Sequence, residues 1–136
     1  MVHYNHYLKE LGIKETDFPF EKEDVVEPNR YDADEEGFRP AEFWSLDYTL
    51  ALYIYSHLCY FRDYCLVGGP MGMDFKEWKH IIDEMIEGFK LYIIEDNTHT
   101  DYTLTEEQRH KVSKRRCRKI NKGFRNFIKY FGHLWY

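Results

Sequence analysis

The sequence predicts an all-α protein: a three-helix bundle core with a short N-terminal helix and an extended acidic arm. Three observations carry this. Apolar residues recur at three- and four-residue steps from Phe75 to Ile93, the mark of an amphipathic helix. Two capping-box patterns, Asp74 with Glu77 and Thr105 with Gln108, open long periodic segments. The segment 45–65 is apolar around most of its circumference, which places a helix centrally in a bundle. Residues 1–40 read as the short helix and the arm, and 41–136 as the bundle, within one compact domain.

Each element follows in order. Asn5 to Leu11 reads as a short helix, with Asn5 as N-cap and Gly12 as the stop. The segment 15–39 is acidic and poorly periodic, and it reads as extended. The first long helix starts near Ser45 and runs to about Cys65, with Thr49, Ser56 and Asp63 as a thin polar stripe. The second presents Phe75, Trp78, Ile81, Ile82, Met85, Ile86, Phe89 and Ile93 on one face. Glu77, His80, Glu84 and Glu87 lie opposite and should face solvent.

The third runs from Thr105 to about Leu134. Its inner arc is Val112, Cys117, Ile120, Phe124, Phe127, Ile128, Phe131 and Trp135. The first turns turn Arg109, His110, Ser113 and Arg116 inward, so this end should project beyond the core. Gly123 inside a helix costs roughly 1 kcal/mol against Ala. It either admits another backbone at close range or marks a kink.

The chain has 136 residues and a net charge of −5, unevenly placed. Residues 1–107 hold nine Lys and Arg against all 24 Asp and Glu, a net of −15. Residues 108–136 hold ten Lys and Arg and no acid. Either the basic element folds back on the acidic one, or it meets an external polyanion. The longest uncharged run, Tyr48 to Phe61, has 14 residues, short of a membrane span. The three cysteines, without a secretory signal, read as reduced thiols in a cytosol.

Trp44, Ser45, Leu46 and Asp47 open a helix; Glu77 and Trp78 precede Asp83, Met85, Ile86 and Phe89. The chain closes on Gly123, Phe124, Phe127, Lys129, Tyr130, Phe131, Leu134 and Trp135. This ordered set resembles a group of small, mostly uncharacterised helical proteins encoded by bacteriophages. The resemblance spans about Phe43 to Trp135. It implies a phage origin and a host-cell cytoplasm, and it carries no activity with it.

Catalytic signatures are sparse. Glu77 with His80 and Glu107 with His110 have the Glu-x-x-His spacing of carboxylate-bridged metal bundles. Both glutamates, however, sit in first helical turns, where the helix dipole favours acids. Cys59, Cys65 and Cys117 form no CxxC pair, and there is no phosphate-binding glycine loop or hydrolase motif. Asp47 reads as a first-turn carboxylate with a structural role. The chain therefore reads as non-enzymatic, with no metal and no cofactor.

The candidate partner-binding residues are the basic set Lys111, Lys114, Arg115, Arg118, Lys119, Lys122 and Arg125, and the acidic set Asp32, Asp34, Glu35 and Glu36. The first expectation is a phage accessory protein that binds and modulates a host protein, an anti-CRISPR-like inhibitor being one form. The second is a nucleic-acid-binding module using the same basic face. The third is a carboxylate–His metal-binding bundle. No membrane partner is expected.

Overall fold

A computed structural model describes residues 3–15 and 45–135. The fold is all-α, with no strand among the described residues. The elements are α1 (His6–Glu10), α2 (Leu46–Tyr60), α3 (Phe75–Ile93) and α4 (Glu106–Tyr130). A π-turn over Phe61–Cys65 follows α2, and 3-10 turns occupy Thr98–Thr100 and Phe131–His133. The chain divides into two compact units, Met1–Ser56 and His57–Tyr136.

In the first unit, the Asn5 carboxamide oxygen accepts from the backbone N–H groups of Tyr7 and Leu8, satisfying two donors that a helix start leaves open. Gly12 takes φ 87°, a left-handed conformation that ends α1. The Tyr4 hydroxyl donates to the Ile13 carbonyl at 2.8 Å and closes the segment on itself.

On α2 two residues of the expected polar stripe turn inward, and the third, Asp63, is exposed in the turn that follows. Thr49 and Ser56 are buried, while Leu46, Leu50 and Tyr53 stay exposed. The reason is local. The Thr49 hydroxyl donates to the Ser45 carbonyl at 3.1 Å, and the Ser56 hydroxyl to the Tyr53 carbonyl at 3.2 Å. A hydroxyl satisfied by its own helix can be buried without losing a hydrogen bond.

In the second unit, α3 begins as the sequence indicates. The Asp74 carboxylate accepts from the Glu77 N–H at 2.7 Å. Trp78, Ile82, Met85, Ile86, Phe89 and Ile93 are all buried, as the stripe predicts, whereas Phe75 in the first turn is 54% exposed. The Trp78 indole N–H is buried and meets no acceptor among the described residues. Antiparallel to α3 runs α4. The pairing is fixed by Trp78 against Tyr130, Phe89 against Phe124 and Phe127, and Arg116 against the end of α3.

The two helices cross at glycine on glycine. A methyl group added at Gly88 would lie 2.8 Å from the Gly123 Cα, and one added at Gly123 would lie 2.7 Å from the Gly88 Cα. Backbone therefore touches backbone, and Gly123 is a contact point rather than a kink. It is also the single buried residue of α4 among those described.

Several residues of the expected inner arc of α4 are elsewhere. Val112, Cys117, Ile128, Phe131 and Trp135 are exposed. The contact with α3 is too close, and confined to too narrow a row, to cover them. Of the expected arc, Ile120, Phe124 and Phe127 line the seam or its margin, together with Gly123 and Tyr130.

Adding the missing methyl group measures the crossing directly. Gly88→Ala and Gly123→Ala should each lower unfolding free energy by about 1–3 kcal/mol in urea titrations, despite the gain in helix propensity. Gly132→Ala, where the added carbon meets nothing within 4 Å, should stay within about 0.5 kcal/mol of wild type.

Candidate polyanion-binding face

Two arginines on the other side from its basic face, Arg109 and Arg116, anchor the N-terminal half of the basic helix. The Arg116 guanidinium donates to the carbonyls of Leu91 and Ile94 and lies 3.9 Å from the Asp96 carboxylate. It thus satisfies carbonyls that the end of α3 leaves open and sets a cation at that helix's negative pole. Arg109 donates to the Leu104 carbonyl at 2.7 Å and to that of Asp101 at 3.3 Å, with Tyr102 beneath its guanidinium at 5.9 Å. The first turns of α4 are tied to the loop before them by polar contacts instead of apolar ones.

The loop before α4 is built the same way. Asp101 accepts from both the hydroxyl and the N–H of Thr103, which hold its carboxyl below its ordinary value. Thr105 and Gln108 form the reciprocal capping box that the sequence predicts, at 2.9 and 3.1 Å. Each bond fixes where α4 starts.

The seven basic candidates all lie exposed on α4. They are not equivalent. Lys122 reaches across to Glu84 of α3 at 3.0 Å. Glu84 is half-buried, not turned to solvent as expected, and it also accepts from His80 at 2.8 Å and Asn126 at 3.1 Å. Lys122 is therefore partly committed to holding the two helices together. Lys111 pairs with Glu107 one turn earlier at 3.6 Å, an exposed contact of little strength. Lys114, Arg115, Arg118, Lys119 and Arg125 make no ion pair among the described residues. The acidic candidates Asp32, Asp34, Glu35 and Glu36 lie outside the described residues.

The helix presents about 37 Å of length at 1.5 Å per residue. Past Glu107 it carries no carboxylate. The 16 Lys and Arg of the described residues outnumber their 14 Asp and Glu. The whole-chain acidity thus comes from the segment 16–44, which holds ten acids and three bases.

The metal-type pairs are not assembled. His80 is turned to Glu84 rather than Glu77, and Glu77, Glu107 and His110 are exposed. No group of three His, Cys, Asp or Glu among the described residues is placed to hold a metal ion. Cys59 is buried, Cys65 half-buried and Cys117 exposed, none of them in a disulfide among the described residues. Asp47, in the first turn of α2, accepts from the Ser45 hydroxyl at 3.0 Å. No described helix is long and apolar enough to cross a membrane.

Two surfaces escaped the sequence reading. The exposed Leu46, Leu50 and Tyr53 of α2 share one face, at four- and three-residue steps. At the other end of the chain, Ile128, Phe131 and Trp135 stand 65–76% exposed beside the basic face. No periodic signal marked the first, because apolar residues surround α2 on nearly every side.

Replacing Arg116 by Met should cost about 1–3 kcal/mol of stability in thermal or urea unfolding, because two carbonyls lose their donor. The Asp101 carboxyl has its folded-state pKa lowered, so its stabilising bonds are complete above the unfolded-state pKa and lost as pH falls through the folded one. The Thr103 amide signal in an NMR titration should therefore move with a midpoint below the ordinary 3.8. No protein-family model matches the chain, nor does any curated protein or solved structure.

Proposed function

We propose that this is a non-enzymatic binding protein whose α4 basic face engages the phosphate backbone of a nucleic acid. The observation that carries the reading is the run Lys114, Arg115, Arg118, Lys119 and Arg125. These five cations are exposed on one helix and unpaired among the described residues. Uncompensated charge in a row attracts a polyanion by releasing its condensed counterions, largely without regard to sequence. Anchoring by Arg116 and the glycine crossing supports it further for Arg118, Lys119 and Arg125, because a pre-ordered stretch loses little entropy on binding.

A second reading keeps the phage resemblance in front: an accessory protein in the host cytoplasm that binds and modulates a host protein, such as a component of a defence system. The exposed face of Leu46, Leu50 and Tyr53 favours it, since apolar and aromatic side chains anchor protein interfaces.

Binding of labelled oligonucleotides at about 50 and 200 mM salt separates the two. Nucleic-acid binding should weaken steeply across that range and vanish in Lys114/Arg115/Arg118/Arg125→Glu, with the melting temperature retained. No binding at the lower salt would sink the first reading. Capture of one host protein by wild type, lost in Leu50→Glu/Tyr53→Glu, would then establish the second.

A further inference from the structure

We infer that the nucleic acid taken by α4 is single-stranded, with its bases stacked on aromatic side chains at the ends of the basic face. This rests on the reading of α4 as a phosphate-binding helix and adds the class of nucleic acid.

The first argument is the open face. From Arg116 to Tyr130, α4 has α3 along one side, and at Gly88 and Gly123 the two backbones touch. The basic arc on the other side is left open along its length as a surface on which a strand can lie.

The second argument is the aromatic exposure. Tyr102 is 86% exposed at the start of α4, and Phe131 and Trp135 are 65% and 71% exposed at its end. Large aromatic side chains in water carry a hydrophobic cost and are kept where something covers them. Duplex phosphates offer them nothing, because paired bases hide their faces. An unpaired strand offers every base face, and stacking is tolerant of sequence.

The third is register. At about 100° per residue, Phe124, Ile128 and Phe131 fall in an arc adjoining Lys114, Arg118 and Arg125. A strand running along α4 would meet cations on one side and apolar or aromatic groups on the other. This is the division a single-stranded nucleic acid makes between phosphate and base. Arg109, placed over the Tyr102 ring at 5.9 Å, holds the aromatic at the opposite end in position.

The test uses the full chain and two fluorescein-labelled probes, a 12-nucleotide thymidine strand and a 12-base-pair duplex, read by anisotropy at 100 mM salt. The expected result is at least tenfold tighter binding of the single strand. Phe131→Ala/Trp135→Ala should weaken that binding about tenfold or more and leave the duplex unchanged. Both side chains are exposed, so the fold should survive, and circular dichroism melting checks it. Equal or tighter duplex binding, or a single-strand affinity indifferent to the aromatic variant, overturns the inference and leaves phosphate binding standing. No binding of either probe overturns both. Binding to vesicles of anionic phospholipid that is sensitive to the aromatic variant, without oligonucleotide binding, also overturns both and assigns the face to a membrane surface.

Discussion

Contact between Gly88 and Gly123 sets the terms for the rest of the second unit. With no side chain between them, the α3 and α4 backbones come within van der Waals distance. That separation decides which neighbours can meet. It brings Phe89 to 4.7 Å from Phe124 and 5.3 Å from Phe127, ring centre to ring centre. It lets Glu84 reach Lys122 and Asn126. It also leaves so narrow a seam that Gly123 is the only buried residue of α4 among those described. A side chain in either position would move the helices apart and uncouple all of these together.

Two kinds of physics hold the same helix. Its C-terminal half is held by ring packing around Phe124, Phe127 and Tyr130. Its N-terminal half is held by Arg109 and Arg116 on backbone carbonyls. A guanidinium offers five donors in a planar fork, and so one side chain can satisfy several carbonyls at once. This solves two problems in one stroke. The end of α3 gains a cation and donors, and α4 gains an anchor that needs no apolar surface.

How much of this the sequence discloses depends on the residue. The core face of α3 follows from spacing alone, because Trp78, Ile82, Met85, Ile86 and Phe89 repeat cleanly and the opposite face is charged. The capping box at Thr105 is equally direct, since it is a local pattern with a local cause. The fate of α2 was not open to the same argument. Leu46, Leu50, Leu52 and Leu58 look alike in a sequence, yet the first two are exposed and the last two buried, a division that a helix apolar on most sides does not encode. On α4 the difficulty was different. Arg109 and Arg116 carry the same charge as Arg115 and Arg118, yet two bind carbonyls and two face solvent. The spacing already turns Arg109 and Arg116 inward, but it does not give which carbonyls they meet there, those of Asp101 and Leu104 for the first and of Leu91 and Ile94 for the second. The basic face itself was legible. The separate task of Lys122 was not, because it depends on Glu84 of the neighbouring helix.

The uneven anchoring of α4 has a thermodynamic consequence. A segment with few buried apolar contacts opens locally at a lower free-energy cost than the core beside it. The first turns of α4 are such a segment, and Lys111, Lys114 and Arg115 lie on them. Whatever ligand settles across those residues closes the local opening as it binds. Occupancy and rigidity are then linked, and the partner acts as a structural component of the helix it covers. A weakly held end of a strongly charged helix is in this sense a sensor, for which the measure of occupancy is amide exchange over residues 106–115.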